Sequence, residues 1–217
     1  MSERGRKLLW LTFFALAMAQ VEASIVIYLR DLYYPGHPLQ LFPLALLSHR
    51  DLVIELVREL ATVVMILAVA LLSVRGPVRV FSAFVYVFGW WDLFYYLWLK
   101  ILLGWPVSWR EWDVLYLIPW PWFGPWLTPA LIALLFVLWG GWALMTSRQV
   151  RFTRGALLLF LLGTGLALAA FLLPGAMLLP RGEAAFRGYQ PQQFCWLLYG
   201  PGLMLMAAGL WRASCLK

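Results

Sequence analysis

The sequence predicts an all-α fold, a polytopic transmembrane bundle of about six helices. Composition is the first reason. Of 217 residues, 64% are apolar and 12% charged, against about half and about a quarter in soluble domains. Run length is the second, because apolar stretches recur that can cross a hydrocarbon layer, which takes roughly 20 residues at ~1.5 Å rise each. The third is pattern. The runs are continuous, whereas a membrane β-barrel is written in short alternating segments.

Taken in order, the spans fall at 8–30, 52–75, 79–104, 128–147, 155–179 and 193–213. The first opens on a basic stretch, and its Ala17-Met18-Ala19 triplet resembles a signal-peptide cleavage site. The apolar run nevertheless continues through "VEASIVIYLR", a length that suits an uncleaved crossing if Glu22 is tolerated. The second span, in "DLVIELVRELATVVMILAVALLSVRG", carries Glu55, Arg58 and Glu59 in its first third. The third contains "FGWWDLFYYLWLKILLGWP", with Asp92 inside it.

Residues 105–127, "WPVSWREWDVLYLIPWPWFGPWL", cannot form one continuous helix. Pro106, Pro119, Pro121, Pro125 and Gly124 interrupt it, while its tryptophans favour the bilayer interface. An interfacial or partly re-entrant cap on the outer face is expected, or an aromatic belt that only anchors. The last three spans hold no acidic residue, and Arg212 is their only basic one. In "LLGTGLALAAFLLPG", Gly163 with Ala167 and Gly165 with Ala169 are small pairs that permit close helix approach, within the chain or between copies. Gly200-Pro201-Gly202 predicts a kink in the last span. With no linker and no internal repeat, 1–217 reads as a single integral membrane domain. The first three spans would bear any site, and the last three would form a scaffold.

Basic residues set the orientation. With the N-terminus inside, the cytoplasmic side receives Arg4, Arg6, Lys7, Arg75, Arg79, Arg148, Arg151, Arg154, Arg212 and Lys217. The outer side receives Arg30, Arg50, Lys100, Arg110, Arg181 and Arg187. That bias predicts both termini in the cytoplasm and explains the net charge of +7 without a nucleic-acid partner. Cys195 and Cys215 lie about 30 Å apart along one predicted helix and cannot pair there.

The ionisable residues inside the spans carry the functional reading. Asp51, Glu55 and Glu59 are spaced four apart and share one helix face, which Thr62 continues. Glu55 would lie about 5 Å deep and Glu59 about 10 Å. Arg58, three residues from Glu55, can pair with it and balance its charge. Glu22 on the first span and Asp92 on the third, about 12 Å and 18 Å below their outer ends, bring one carboxylate from each of three helices. Tyr95 and Tyr96 follow on the Asp92 face, with Lys100 a turn beyond. Lipid cannot solvate a carboxylate, so these groups should face inward.

Three functions remain open at this stage. The leading one is an outward-facing, transporter-like site for protons or a cation, with Glu22, Glu55, Glu59 and Asp92 as carriers or ligands and Asp51 at its mouth. The second is a membrane enzyme holding a divalent metal on Glu22, Glu59 and Asp92 with His37 or His49 of the first outer loop. The third is a non-catalytic subunit of a homo-oligomer or larger membrane complex, its aromatic residues facing a partner, pigment or quinone. The same acids could also serve packing alone, through hydrogen bonds to Tyr or Trp. No Glu-x-x-His pair, nucleotide motif or Ser/His/Asp arrangement occurs, and no histidine lies within a span, which excludes an intramembrane bis-His haem.

The segments "AMAQVEASIVIYLRDLYYP", "ELVRELATVVMILAVA", "WWDLFYYLWLKILLGWP" and "WDVLYLIPWPWFGP" together resemble an uncharacterised group of bacterial multi-span membrane proteins over about residues 15 to 130. The resemblance implies a multi-pass protein of the bacterial inner membrane. It lends no activity, cofactor or substrate.

Overall fold

A computed structural model describes residues 2–214; Cys215 and Lys217 lie outside the described residues. The order is α1 (Glu3–Tyr33), α2 (His49–Ser73), α3 (Pro77–Leu103), β1 (Trp112–Tyr116), β2 (Trp122–Pro125), α4 (Leu127–Met145), α5 (Arg154–Leu178), a short α6 (Glu183–Phe186) and α7 (Trp196–Ser214). Helices dominate. Four of them are long and apolar enough to cross a membrane by length and composition: α1, α3, α4, and α5 with the turn that extends it to Arg181. The other two long helices, α2 and α7, have 25 and 19 residues.

Local chemistry explains the boundaries. The Ser2, Ser48 and Thr153 side chains accept hydrogen bonds from the Gly5, Asp51 and Ala156 amides at the starts of α1, α2 and α5, satisfying donors that a helix leaves orphaned. Pro77 opens α3, where its missing N–H is no loss. Gly104 closes α3 in the left-handed conformation, at φ 81°. α1 is continuous through Ala17–Ala19 and ends a turn later than the apolar run predicts.

The departure from an all-helical reading lies in 112–125. Between its prolines, the β-forming residues Trp112, Val114, Tyr116, Trp122 and Phe123 pair as an antiparallel ribbon. Trp112 stands opposite Pro125 and Val114 opposite Phe123, with an irregularity before Tyr116. This ribbon is packed into the bundle rather than laid across it. The Trp120 indole donates to the Leu172 carbonyl at 3.0 Å, and the Trp122 ring stacks on Phe171 of α5.

α3 touches α1, α2 and α4, while α5 and α7 form a tight pair that meets the rest through α4, the ribbon and ring contacts with α3. Glycine sets how close α5 and α7 come. A Cβ at Gly163 would lie 2.5 Å from the Met206 amide nitrogen and 2.6 Å from the Gly202 carbonyl oxygen. Gly163 and Ala167 thus serve the α5–α7 contact, while nothing approaches a Cβ at Gly165. At the end of the bundle opposite the ribbon, Arg4 and Arg79 both donate to carbonyls where α4 finishes, a favourable place for positive charge. Aromatic rings pack largely on one another, as in the Phe81, Trp139, Phe152 and Phe160 group.

Candidate functional site

The buried face of α2 is Glu55, Glu59, Thr62, Ile66 and Ala70, the stripe that four-residue spacing implies. Three carboxylates of the sequence reading meet around this face. The Arg58 guanidinium holds two of them. Its Nε and Nη2 donate to Glu55 Oε2 at 2.8 and 2.6 Å, and its Nη1 pairs with Glu22 of α1. The Thr62 hydroxyl also donates to Glu22. Glu59 turns to the ribbon instead. Both its carboxylate oxygens accept from the Leu117 amide, at 2.9 and 3.0 Å, and the Tyr116 hydroxyl donates to its backbone carbonyl at 3.0 Å. Burial pushes the Tyr116 hydroxyl up to about 12.

Asp92 of α3 stands apart from these three. Its Oδ2 is fully buried and, among the described residues, has no hydrogen-bond partner. Tyr95 packs edge-on against Tyr96, with ring centres 5.1 Å apart, and the Tyr96 hydroxyl donates to Asp113 on β1 at 3.3 Å. Asp51 lies at the α2 start, exposed enough to meet solvent. Hydrogen bonds from the Tyr33 and Ser48 hydroxyls hold its carboxyl below the usual range.

Three expected members do not join. Lys100 is exposed and donates to the Gly104 and Pro106 carbonyls at 3.1 and 2.7 Å; it caps α3, because the helix ends one turn later and offers it free acceptors. His37 and His49 are exposed on the loop side. Among the described residues, no group of three or more His, Cys, Asp or Glu side chains is placed to hold a metal ion. Glu22, Glu59, Asp92, His37 and His49 therefore do not converge as a ligand set.

The sequence reading missed a second charged centre. Arg30, assigned to the outer surface, is 2% exposed, and its guanidinium lies 3.6 Å from Asp113, itself 2% exposed. It stacks on the Trp105 ring at 4.2 Å, and none of its three nitrogens has a hydrogen-bond partner among the described residues. Burial raises the Asp113 carboxyl to about 6, while Arg30 and hydrogen bonds from Tyr96 and Val114 act in the opposite direction. The signal available in sequence was one acid between Trp112 and Val114, at a position that strand alternation would turn inward.

Two cavities join these groups. One, of about 480 Å³, lies beneath the first loop between leucine walls, with Tyr33, Arg30 and Glu55 among its linings. The other is a chamber of about 400 Å³ inside the bundle, reached by Glu22, Thr62 and Asp92. Arg58, Glu59, Tyr95 and Asp113 line both, so they form the wall between them. Chemically, the arrangement offers a series of oxygen acceptors from the loop to the bundle interior. Comparison of the chain with protein-family models, with curated proteins and with solved structures gives no match.

Proposed function

We propose that this is a six-span protein of a bacterial inner membrane, both termini cytoplasmic, with a site for protons or a small cation open to the outer side. α1, α2, α3, α4, α5 and α7 are its spans. The single observation that carries the reading is the shared wall. Glu55 faces the loop cavity, Glu59 faces both spaces and Asp92 faces the chamber. A proton or cation entering beneath the loop meets a carboxylate at each stage, and Arg58 keeps the mouth from accumulating too much negative charge. The clustering of basic residues at the end where Arg4 and Arg79 sit supports the orientation. An intramembrane acid is a functional hypothesis by default.

The metal-enzyme alternative has less support, because among the described residues no three ligands converge. The experiment is flux in proteoliposomes under an imposed pH or cation gradient, read with a pH-sensitive dye. Wild-type protein moves protons, alone or against a cation, and Glu59→Gln or Asp92→Asn abolishes the signal while keeping the fold. Unaltered flux in both variants, or no flux in wild type under any gradient, rejects the reading.

A further inference from the structure

The chamber is much larger than a bare ion needs. At about 400 Å³ it falls within the range of small-molecule pockets. Its walls are aromatic, with Phe84, Phe88, Trp91, Tyr95, Trp122 and Phe136 around it. They are also unbalanced in charge. Glu22, Glu59, Asp92 and Asp113 contribute carboxylates; Arg30 pairs with Asp113 from outside the chamber, and Arg58 is the guanidinium in its lining. Arg58 is already occupied by Glu22 and Glu55, whereas Asp92 keeps a buried oxygen with no partner among the described residues. A buried polar atom without a partner in a native fold calls for an explanation.

Aromatic faces and an unmatched carboxylate together select for one chemistry. Aromatic quadrupoles attract a desolvated cation, the acid supplies its counter-charge, and the apolar surface takes up its hydrocarbon part. A hydrated metal ion gains nothing from such walls, and an anion is repelled by the acids. A neutral apolar molecule would leave Asp92 unmatched. We propose that the chamber binds a small organic cation, a substituted ammonium whose charged centre sits against Asp92 with its apolar groups among Phe88, Trp91 and Phe136. This rests on the reading of the chamber as a cation site and names the class of cation.

Benzyltrimethylammonium and its uncharged isostere neopentylbenzene test it. Tryptophan fluorescence of the purified full chain in detergent, titrated with each, should show saturable binding of the ammonium at least tenfold tighter than the hydrocarbon. Asp92→Asn should weaken ammonium binding about tenfold and leave the hydrocarbon unchanged. Phe88→Leu, which alters no charge, should weaken the ammonium by several fold and provides a second readout if Asp92→Asn does not fold. Equal affinity for the two probes, undiminished ammonium binding in a folded Asp92→Asn, or no saturable binding overturns the proposal. Proton flux in liposomes is measured without either probe, so the outcomes separate. Flux without ammonium binding removes this inference alone, and ammonium binding without flux removes the proton reading alone.

Discussion

Arg30 on α1 and Asp113 on the ribbon lie 3.6 Å apart, both side chains almost wholly withdrawn from solvent. Removing one member of such a pair leaves the other charge buried without compensation, which typically costs about 3–5 kcal/mol. Arg30→Met should therefore lower the thermal unfolding midpoint sharply. The double substitution with Asp113→Leu should recover much of the loss, because no charge is then left alone. A double variant no more stable than Arg30→Met would show that the arginine acts through its Trp105 stacking instead.

The same carboxylate predicts a pH dependence. In the folded protein Asp113 titrates near 6, whereas an ordinary aspartate does so near about 4. As pH falls from 6 towards 4 the folded chain takes up this proton first, so this group's contribution to stability rises over that window and is least favourable above 6. The unfolding midpoint of wild type, measured relative to that of Asp113→Asn, should rise as the medium is acidified from pH 6 towards 4. A difference independent of pH contradicts the shift.

Arg58 ties α1 to α2 by holding Glu22 and Glu55 together. Arg58→Leu should destabilise by about 2–3 kcal/mol, somewhat below the fully buried range because its side chain is one-fifth exposed. Glu22→Gln should cost less, since an amide oxygen still accepts from Thr62. Denaturation of the three proteins in one detergent gives the ranking directly.

Glu59 anchors the ribbon through one amide. Glu59→Ala removes both acceptors of the Leu117 N–H, which costs about 1–3 kcal/mol for a donor left unmatched. The Leu117 amide should then exchange faster with deuterated solvent, while Glu59→Gln preserves most of its protection. Unchanged exchange in the alanine variant would mean that Tyr116 alone positions this turn.

At the opposite side of the molecule, Gly163→Ala tests the α5–α7 contact. The added methyl meets backbone atoms of Met206 and Gly202, which cannot rotate away, so a loss of about 1–3 kcal/mol is expected from overpacking. Gly165→Ala, with nothing approaching it, should be neutral or slightly stabilising.

Legibility in the sequence followed locality. Helix positions were readable because each apolar run is contiguous in the chain. The α2 face was readable for the same reason, since Glu55, Glu59 and Thr62 keep helical spacing within a few residues. Arg30 was not. Its partners Trp105 and Asp113 arrive from beyond two further helices, and nothing near position 30 distinguishes a buried arginine from one that snorkels. The prolines of 105–127 predicted a broken helix, but which strand residues pair depends on packing against Phe171 and Leu172 of α5. Lys100 kept its helical phase and still left the expected group, because the carbonyls at the α3 end were nearer.

The glycine contact between α5 and α7 has a mechanical meaning. Backbones in direct touch cannot be loosened by adding a proton or a counter-ion, so that pair behaves as a stiff frame. The α1–α2 side is fastened by charge pairs around Arg58, and α2 meets the ribbon through Glu59, so each of these fastenings weakens or strengthens as its carboxylate gains or loses a partner. Deformation on filling the interior is therefore expected in α1 and α2. α5 and α7 would serve as the fixed reference against which that movement is measured.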